Sequence, residues 1–348
     1  MNQKPLNIIN KSKQKWAFSL FIVVVLCLVS WSGCVTEADD KIIILETQTG
    51  FNTLDEAIKE AKINQTIQLK PGVYYETITI DKPLKISGTH RNSTIIDGDG
   101  NGDVIFILSD WVEIHNLTIR NSGNQTASDE DAGVDVRSEY NTFENLNISN
   151  NNNYGLFLYL AHNNTVKNCV FYQNEEGGAF SFQCRGNRFE NCSFTSNDRG
   201  IYIHRDNNGT FANNIVSHND IKGIYFYGSR NFNIQGNLFS GNDIGMHVKG
   251  SKFSTFRNNL YMGNRLGIDF CCGGSDNTVY QNAFMNSKEM HVTGYPINQF
   301  DNGSIGNFWD DYEGVDENGD GIGDTVYNVT APTYGHQNVD RYPLMNPS

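Results

Sequence analysis

The chain has 348 residues, a formal net charge of −13 at pH 7 and 12% aromatic residues. So acidic a chain is not built to bind nucleic acid, because phosphate contacts need a basic face. The length allows one large domain or two small ones, and the acidity suits calcium or a secreted protein that stays soluble.

Residues 1–34 read as a targeting segment. Lys4, Lys11, Lys13 and Lys15 precede the apolar run WAFSLFIVVVLCLVSWSG, which ends at Cys34. Positive charge, apolar run and small residues succeed one another as in an export signal. The SGC ending resembles a lipoprotein signal, with Cys34 lipidated and left as the new N-terminus. Trp31 departs from the aliphatic residue usual there. A plain signal peptide or an uncleaved anchor is the alternative, since the run is barely long enough to span a bilayer. Each reading places the remainder outside the cytoplasm, at a cell surface or in a periplasm, held to a membrane by lipid or anchor. Residues 35–45 are expected to be a short linker. Sequons beginning at Asn116, Asn208 and Asn328 would accept glycans in a host that attaches them.

The stretch NTLDEAIKEAK (52–62) is the one good amphipathic helix. Leu54, Ala57, Ile58 and Ala61 share a face, and Asn52 or Thr53 can cap its first turn. It is expected to plug the N-terminal end of a coiled, strand-rich region. Residues 66–88, TIQLKPGVYYETITIDKPLKISG, supply irregular first coils.

From residue 141 the chain repeats. NTFENLNI, NTVKNCVF, NRFENCSF, GTFANNIV, FNIQGNLF, STFRNNLY and NTVYQNAF begin 22 or 23 residues apart. Each unit continues to an Asn (151, 174, 197, 219, 242, 264; Ser287 breaks the series), then to Gly and a short alternating run. Apolar residues recur with period two in runs of three to five, which means short strands and not helices. Stacked coils of three strands make an all-β fold, a right-handed single-stranded parallel β-helix over residues 46–300, with residues 301–348 as its C-terminal cap. The repeat defines three interior columns. One runs Phe143, Val166, Phe189, Phe211, Ile234, Phe256, Val279. A second runs Ile148, Phe171, Phe194, Val216, Phe239, Tyr261, Phe284. The third holds Leu156, Ile201, Ile224, Met246 and Ile268. The recurrent Asn residues suit tight turns and can form amide ladders from coil to coil.

Cys169 and Cys192 occupy one column in successive coils. Coil spacing puts their Cα atoms about 5 Å apart, within disulfide range. A bridge and a buried thiol stack both fit. Cys184, Cys271 and Cys272 have no evident partner.

Alternation also defines an outward face after each repeat glycine. Its first column reads Asp135, Phe157, Phe180, Tyr202, Tyr225, His247 and Asp269, with His291 from the irregular last coil. The second reads Arg137, Tyr159, Phe182, His204, Tyr227, Lys249 and Cys271. Phe157, Tyr159, Phe180, Phe182, Tyr202, Tyr225 and Tyr227 form an aromatic belt on which sugars can stack. The competing reading is that the loop near 120–132 covers the rings, or that they are a structural stack. For catalysis the outward candidates are Asp135, Arg137, His204, Asp206, His247, Lys249 and Asp269. No clear carboxylate pair of the glycosidase kind shares neighbouring coils, although SDEDAGVD (128–135) is a further source of acids.

Near the C-terminus, DENGDGIGD (Asp316–Asp324) has most of a calcium loop. Asp316, Asn318, Asp320 and Asp324 with the Ile322 carbonyl are candidate oxygen ligands, and Asp340 a sixth. Position 12 is Tyr327 where a calcium sensor needs Glu. The flanks are not helical and the loop occurs once, so the expected role is a structural clasp.

The helix together with PGVYYETITIDKPLKISG, the Asn-rich coils, and the ending GNFWDDYEGVDENGDGIGDTVYNV…DRYPLM resemble the periplasmic copper-binding NosD family. That family lies within the pectin-lyase-like group of carbohydrate-binding and sugar-hydrolase β-helix proteins. The resemblance covers roughly residues 45–346 and implies a polysaccharide-binding surface protein, a polysaccharide lyase or glycoside hydrolase, or a copper-handling accessory protein. Copper would need soft donors. Met246, His247, Met262, Cys271, Cys272, Met285, Met290 and His291 concentrate in the last coils, with Met246 and Met285 expected to point inward.

Overall fold

In each repeat a three-residue strand alternates out, in, out, and the sequence places one apolar residue at every inward position. The computed structural model describes residues 41–124, 130–285, 287, 290–294, 296–330 and 337–347. The targeting segment and Cys34 lie outside them. The described chain winds through three sheets of 12, 11 and 10 strands, each strand hydrogen-bonded to its counterparts in neighbouring coils.

The three columns form as expected. Phe143, Val166, Phe189, Phe211, Ile234, Phe256 and Val279 pair coil to coil in the first sheet. Ile148, Phe171, Phe194, Val216, Phe239, Tyr261 and Phe284 do so in the second. Leu156, Ile201, Ile224, Met246 and Ile268 line the third, with Ala179 between Leu156 and Ile201. All are at most 2% exposed. Burying each large side chain contributes about 1.5–3 kcal/mol over leaving it in water. Rings also stack along the axis, as in Phe171–Phe194 at 4.6 Å and Phe284–Trp309 at 4.4 Å between centroids.

The turns divide the work of asparagine between two columns. Asn145, Asn168, Asn191, Asn213 and Asn258 take left-handed φ of 53–56°, which Asn tolerates better than most residues. A second kind turns inward. Asn219 Oδ1 accepts the backbone N–H of Asn197 at 3.2 Å, and its Nδ2 donates to Phe194 O at 3.1 Å and to Asn242 Oδ1 at 2.9 Å. Asn151, Asn174, Asn197, Asn242 and Asn264 belong to this ladder. Asn214, Asn237, Asn259, Asn282 and Asn307 form another. Buried backbone groups at the corners are thus satisfied without water. The glycine after each ladder residue is a matter of space. At Gly200 a Cβ would lie 2.5 Å from Gly223 O.

Cys169 and Cys192 stand at the head of the second ladder as free, buried thiols. Cys169 Sγ faces Lys167 O at 3.2 Å and Cys192 Sγ faces Glu190 O at 3.3 Å.

The N-terminal helix spans Leu54–Glu60, with Thr53 as its N-cap. Leu54, Ala57, Ile58 and Ala61 are at most 3% exposed. Glu76, from the first coil, accepts the N–H groups of Leu54 and Asp55 at 2.9–3.1 Å, which suits the positive end of a helix. Two boundaries differ from expectation. Residues 35–45 are not all linker, because Ile42–Ile44 is a strand paired antiparallel with Thr49–Phe51 and Thr66–Leu69. Its alternation is hidden in an unbroken run of three isoleucines. The solenoid also continues past residue 300, since Phe308–Trp309 still pairs with Ala283–Phe284. Among the described residues no helix is long and apolar enough to cross a membrane.

Candidate functional site

The outward face of the third sheet is built by strands Tyr154–Tyr159, Gly177–Phe182, Arg199–His204, Lys222–Tyr227, Ile244–Lys249 and Leu266–Cys271. In-register pairing brings Asp135, Phe157, Phe180, Tyr202, Tyr225, His247 and Asp269 into one row. Tyr159, Phe182, His204, Tyr227, Lys249 and Cys271 form the second.

The rings cover one another's faces. Phe180 stacks on Tyr202 at 4.7 Å and 16°, and Tyr202 on Tyr225 at 4.6 Å and 17°. Tyr159 stacks on Phe182 at 5.4 Å. All these rings are half-buried. Lys222 Nζ lies 4.0 Å from the Tyr225 centroid and Lys249 Nζ 5.1 Å from that of Tyr227, as cation–π contacts. Burial pushes the Tyr202 hydroxyl up to about 12. Burial, then the charge of Arg205, lowers His204, and burial, then Lys222, lowers His247. Both imidazoles are thereby biased towards the neutral form.

Four expected members of this face lie elsewhere or are covered. Phe157 is 7% exposed, packed with Ala132 and Tyr154. Asp135 is 1% exposed, its carboxylate held by Arg137 at 2.7–2.8 Å. The Arg137 guanidinium in turn lies 4.6 Å from the Tyr159 centroid. Asp206 turns into the corner, where it accepts the N–H of Cys184 at 2.8 Å and bonds the Ser181 hydroxyl. It belongs to a turn column continued by Ser229 and Ser251. His291 does not extend the row, since Thr293 is the partner of Asp269.

At the C-terminal end of the face, His247 Nε2 is 3.1 Å from Cys271 Sγ and 3.7 Å from Asp269 Oδ2. Donor atoms of these three residues all lie within 4.8 Å of one another. Burial pushes the Cys271 thiol up to about 12. Of the eight soft-donor candidates, His247 and Cys271 are the pair that comes together with a carboxylate, and Cys272 adjoins Cys271. Met246 is in the core, Met262 and Met290 are exposed, and Met285 points outward rather than inward.

A second cluster joins His291, Asp310 and Asp311. His291 Nε2 is 2.9 Å from Asp310 Oδ1 and its Nδ1 is 3.1 Å from Ser287 Oγ. Tyr327 donates to Asp311 at 2.9 Å. These residues border a cavity of about 430 Å³. No periodicity brings them together; they meet because the chain folds back after Trp309.

The loop at Asp316–Asp324 is pinned to the last coil by Gly323 N–H to Pro343 O and Met345 N–H to Gly321 O, at 2.8 and 3.0 Å. Asp316 accepts the N–H groups of Gly319, Asp320 and Gly321. Asn318 Oδ1 accepts that of Asp320, Asp320 that of Ile322, and Asp324 that of Glu317. All its side-chain donors are oxygens or an amide, as a calcium site requires. Asp340 is not a member. It is 0% exposed and hydrogen-bonded to Asn307, Trp309 and Tyr342.

Three features escape the repeat logic. Lys222 reaches the belt with its ammonium over the Tyr225 ring. Glu130 and Asp198 are both raised by burial, then by the charge of Glu176, so carboxylates do gather beside the face, one of them from the 128–135 stretch. Trp111 and Tyr140 stack at 4.7 Å on the first sheet, 61% and 42% exposed. Trp111 takes a left-handed φ of 62°, and no repeat column registers the pair.

Residues 132–284 match the family model described as the right handed beta helix region. The probable ABC transporter binding protein NosD of Stutzerimonas stutzeri is 31% identical over 103 residues, covering 29% of this chain and 22% of that protein. The matched stretch thus spans under a quarter of that relative's length. Among solved structures, pectate lyase Pel9A superposes with a TM-score of 0.58 at 19% identity, over 72% of this chain and 74% of that one. The A-module of the Azotobacter vinelandii mannuronan C-5 epimerase AlgE4 gives 0.53 at 16% identity, over 73% and 81%. The chain is a right-handed parallel β-helix, similar over part of its length to NosD and in fold to a pectate lyase.

Proposed function

We propose that this protein binds polysaccharide outside the cytoplasm, along the outward face of the third sheet. The observation that carries the reading is the continuous half-buried strip of Phe180, Tyr202, Tyr225, Phe182, His204 and Tyr227, with Lys222 and Lys249 laid across it. Because the rings cover each other's faces, a sugar does not lie flat on them. Recognition runs through ring edges, phenol hydroxyls and ammonium groups, as hydrogen bonding along the strip with Tyr159 at its end. Phe157 is too deeply buried to take part. The fold shared with a pectate lyase and a mannuronan epimerase supports a carbohydrate ligand. The export-type segment and Cys34 support a surface or periplasmic location with a lipid or peptide anchor.

A degradative reading, lyase or hydrolase, draws on the acids Glu130, Glu176 and Asp198 beside the same strip. The copper-handling reading has less behind it, since the soft donors beside His247 are the Cys271 and Cys272 thiols and the methionines lie elsewhere. We assign the Asp316–Asp324 loop to calcium, through Asp316, Asn318, Asp320, Asp324 and the Ile322 carbonyl, as a structural clasp.

A polysaccharide array with wild type and the Tyr202→Ala/Tyr225→Ala double variant tests the main reading. Retention of one glycan class by wild type and its loss in the variant is expected. Absence of any binding, or binding unchanged by the double substitution, overturns it. Release of reducing ends or unsaturated uronates would favour the degradative reading.

A further inference from the structure

We propose that His247, Asp269 and Cys271 hold a zinc-class divalent transition-metal ion, independently of the polysaccharide reading. Parallel pairing sets His247 beside Asp269 in the next coil. Cys271, two residues further along the same strand, points to the same side. The imidazole nitrogen, carboxylate oxygen and thiol sulfur therefore converge from two adjacent strands of a rigid sheet and not from a mobile loop.

The distances suit such an ion. Tetrahedral zinc with bonds to N, O and S places its ligand atoms about 3.3–3.8 Å apart. Here Nε2 stands 3.1 Å from Sγ and 3.7 Å from Oδ2. Small side-chain rotations would complete the geometry.

The surroundings also hold the donors in place. Thr293 Oγ1 donates to Asp269 Oδ1 at 2.9 Å, which leaves Oδ2 turned to the imidazole. Outer hydrogen bonds of this kind orient ligating carboxylates. The His247 ring packs against Tyr225 at 5.0 Å, and its directed polar contacts are through Nε2. Lys222 and Lys249 rest on the Tyr225 and Tyr227 rings, and their charges also reach His247.

Mixed N, O and S donation selects a borderline ion over calcium or magnesium, which prefer oxygen alone. Three protein ligands leave the fourth corner open to water.

Cobalt(II) reads the site directly, because a thiolate ligand adds a sulfur-to-metal charge-transfer band that oxygen and nitrogen sites lack. The full chain in mild detergent, reduced and stripped of metal, is titrated with cobalt chloride and then zinc chloride. One equivalent of cobalt with that band, displaced by zinc, is expected. Cys271→Ser removes the band, His247→Ala weakens cobalt binding at least tenfold, and Cys272→Ser keeps both. Thermal melts of each variant confirm that it is folded. Zinc also slows alkylation of Cys271 by iodoacetamide, a readout that needs no variant. The proposal is overturned if stoichiometric cobalt gives no sulfur band, if the band survives Cys271→Ser in a folded variant, or if zinc leaves the alkylation rate unchanged.

Discussion

The carboxylate of Asp340 accepts the indole N–H of Trp309 at 2.9 Å, with both residues at most 1% exposed. The same oxygen accepts the backbone N–H of Asn307 at 2.7 Å and lies 3.2 Å from its amide nitrogen. Asp340→Ala strands these donors in the core. A loss of about 2–4 kcal/mol is expected, read as a lower urea midpoint. A midpoint within about 0.5 kcal/mol of wild type, on the order of an ordinary surface change, would show that the last coil closes by other contacts.

Burial pushes the carboxyls of Asp340 and Asp206 up to about 6, against about 4 in an unfolded chain. Between those values the folded chain holds more protons than the unfolded one. Their contribution to stability is therefore complete below about pH 4 and is lost as pH rises through 6. Asp206→Asn keeps an oxygen for the Cys184 N–H without burying a charge. It should stabilise by about 1–3 kcal/mol at pH 7 and by nearly nothing at pH 4. Urea melts at the two pH values check this, and an equal effect at both would refute the assignment.

Tyr261 is wholly buried in the second column and its hydroxyl has no hydrogen-bond partner. Its neighbours in the stack are Phe239 and Phe284. Tyr261→Phe removes an unsatisfied group at almost constant volume, so a gain of about 1–2 kcal/mol is expected. A loss on calorimetry would mean that the hydroxyl is solvated or bonded in solution.

Calcium at the Asp316–Asp324 loop should raise the thermal midpoint. At a hundredfold excess over its dissociation constant, a ligand specific for the fold adds about 2.7 kcal/mol. Excess chelator should reverse this, and Asp320→Ala should abolish the response. A midpoint indifferent to chelator sinks the clasp.

Two aromatic surfaces are separable by substitution. Lys222→Ala and Tyr225→Ala should each weaken polysaccharide binding several-fold, whereas Trp111→Ala on the first sheet should leave it unchanged. Affinity electrophoresis in polysaccharide gels would measure all three. The reverse order would move the binding surface to the Trp111–Tyr140 pair.

The architecture was legible because coil spacing is a property of the chain itself. Once Phe143 aligns with Val166 and Phe189, parallel pairing leaves little freedom, and each inward residue is fixed in turn. The site was less legible because alternation gives direction and not exposure. Phe157 points away from the core as its row requires, yet Tyr154 and Ala132 pack against it. Asp206 sits at a corner, where period two no longer applies and hydrogen bonding to Cys184 and Ser181 decides. His291, Asp310 and Asp311 meet through irregular chain after the last repeat, which no column registers. The cluster of His247 with Cys271 lay in two named rows, but only the diagonal geometry between adjacent coils joins them.

The ladder that runs Asn214, Asn237, Asn259, Asn282, Asn307 has a direction. Each amide receives from one coil and donates to the next, so a terminal amide would offer a free donor to any incoming chain. Asp340 ends the series with a group that only accepts. Together with the pairing of Phe308 to Leu344, this closes the growing end of a structure whose every rung could template another. The acid at position 340 thus gives the last rung an acceptor and presents no amide donor beyond it. A chain lacking residues beyond Trp309 should associate end to end, read as a rise in mass by light scattering that the full chain does not show.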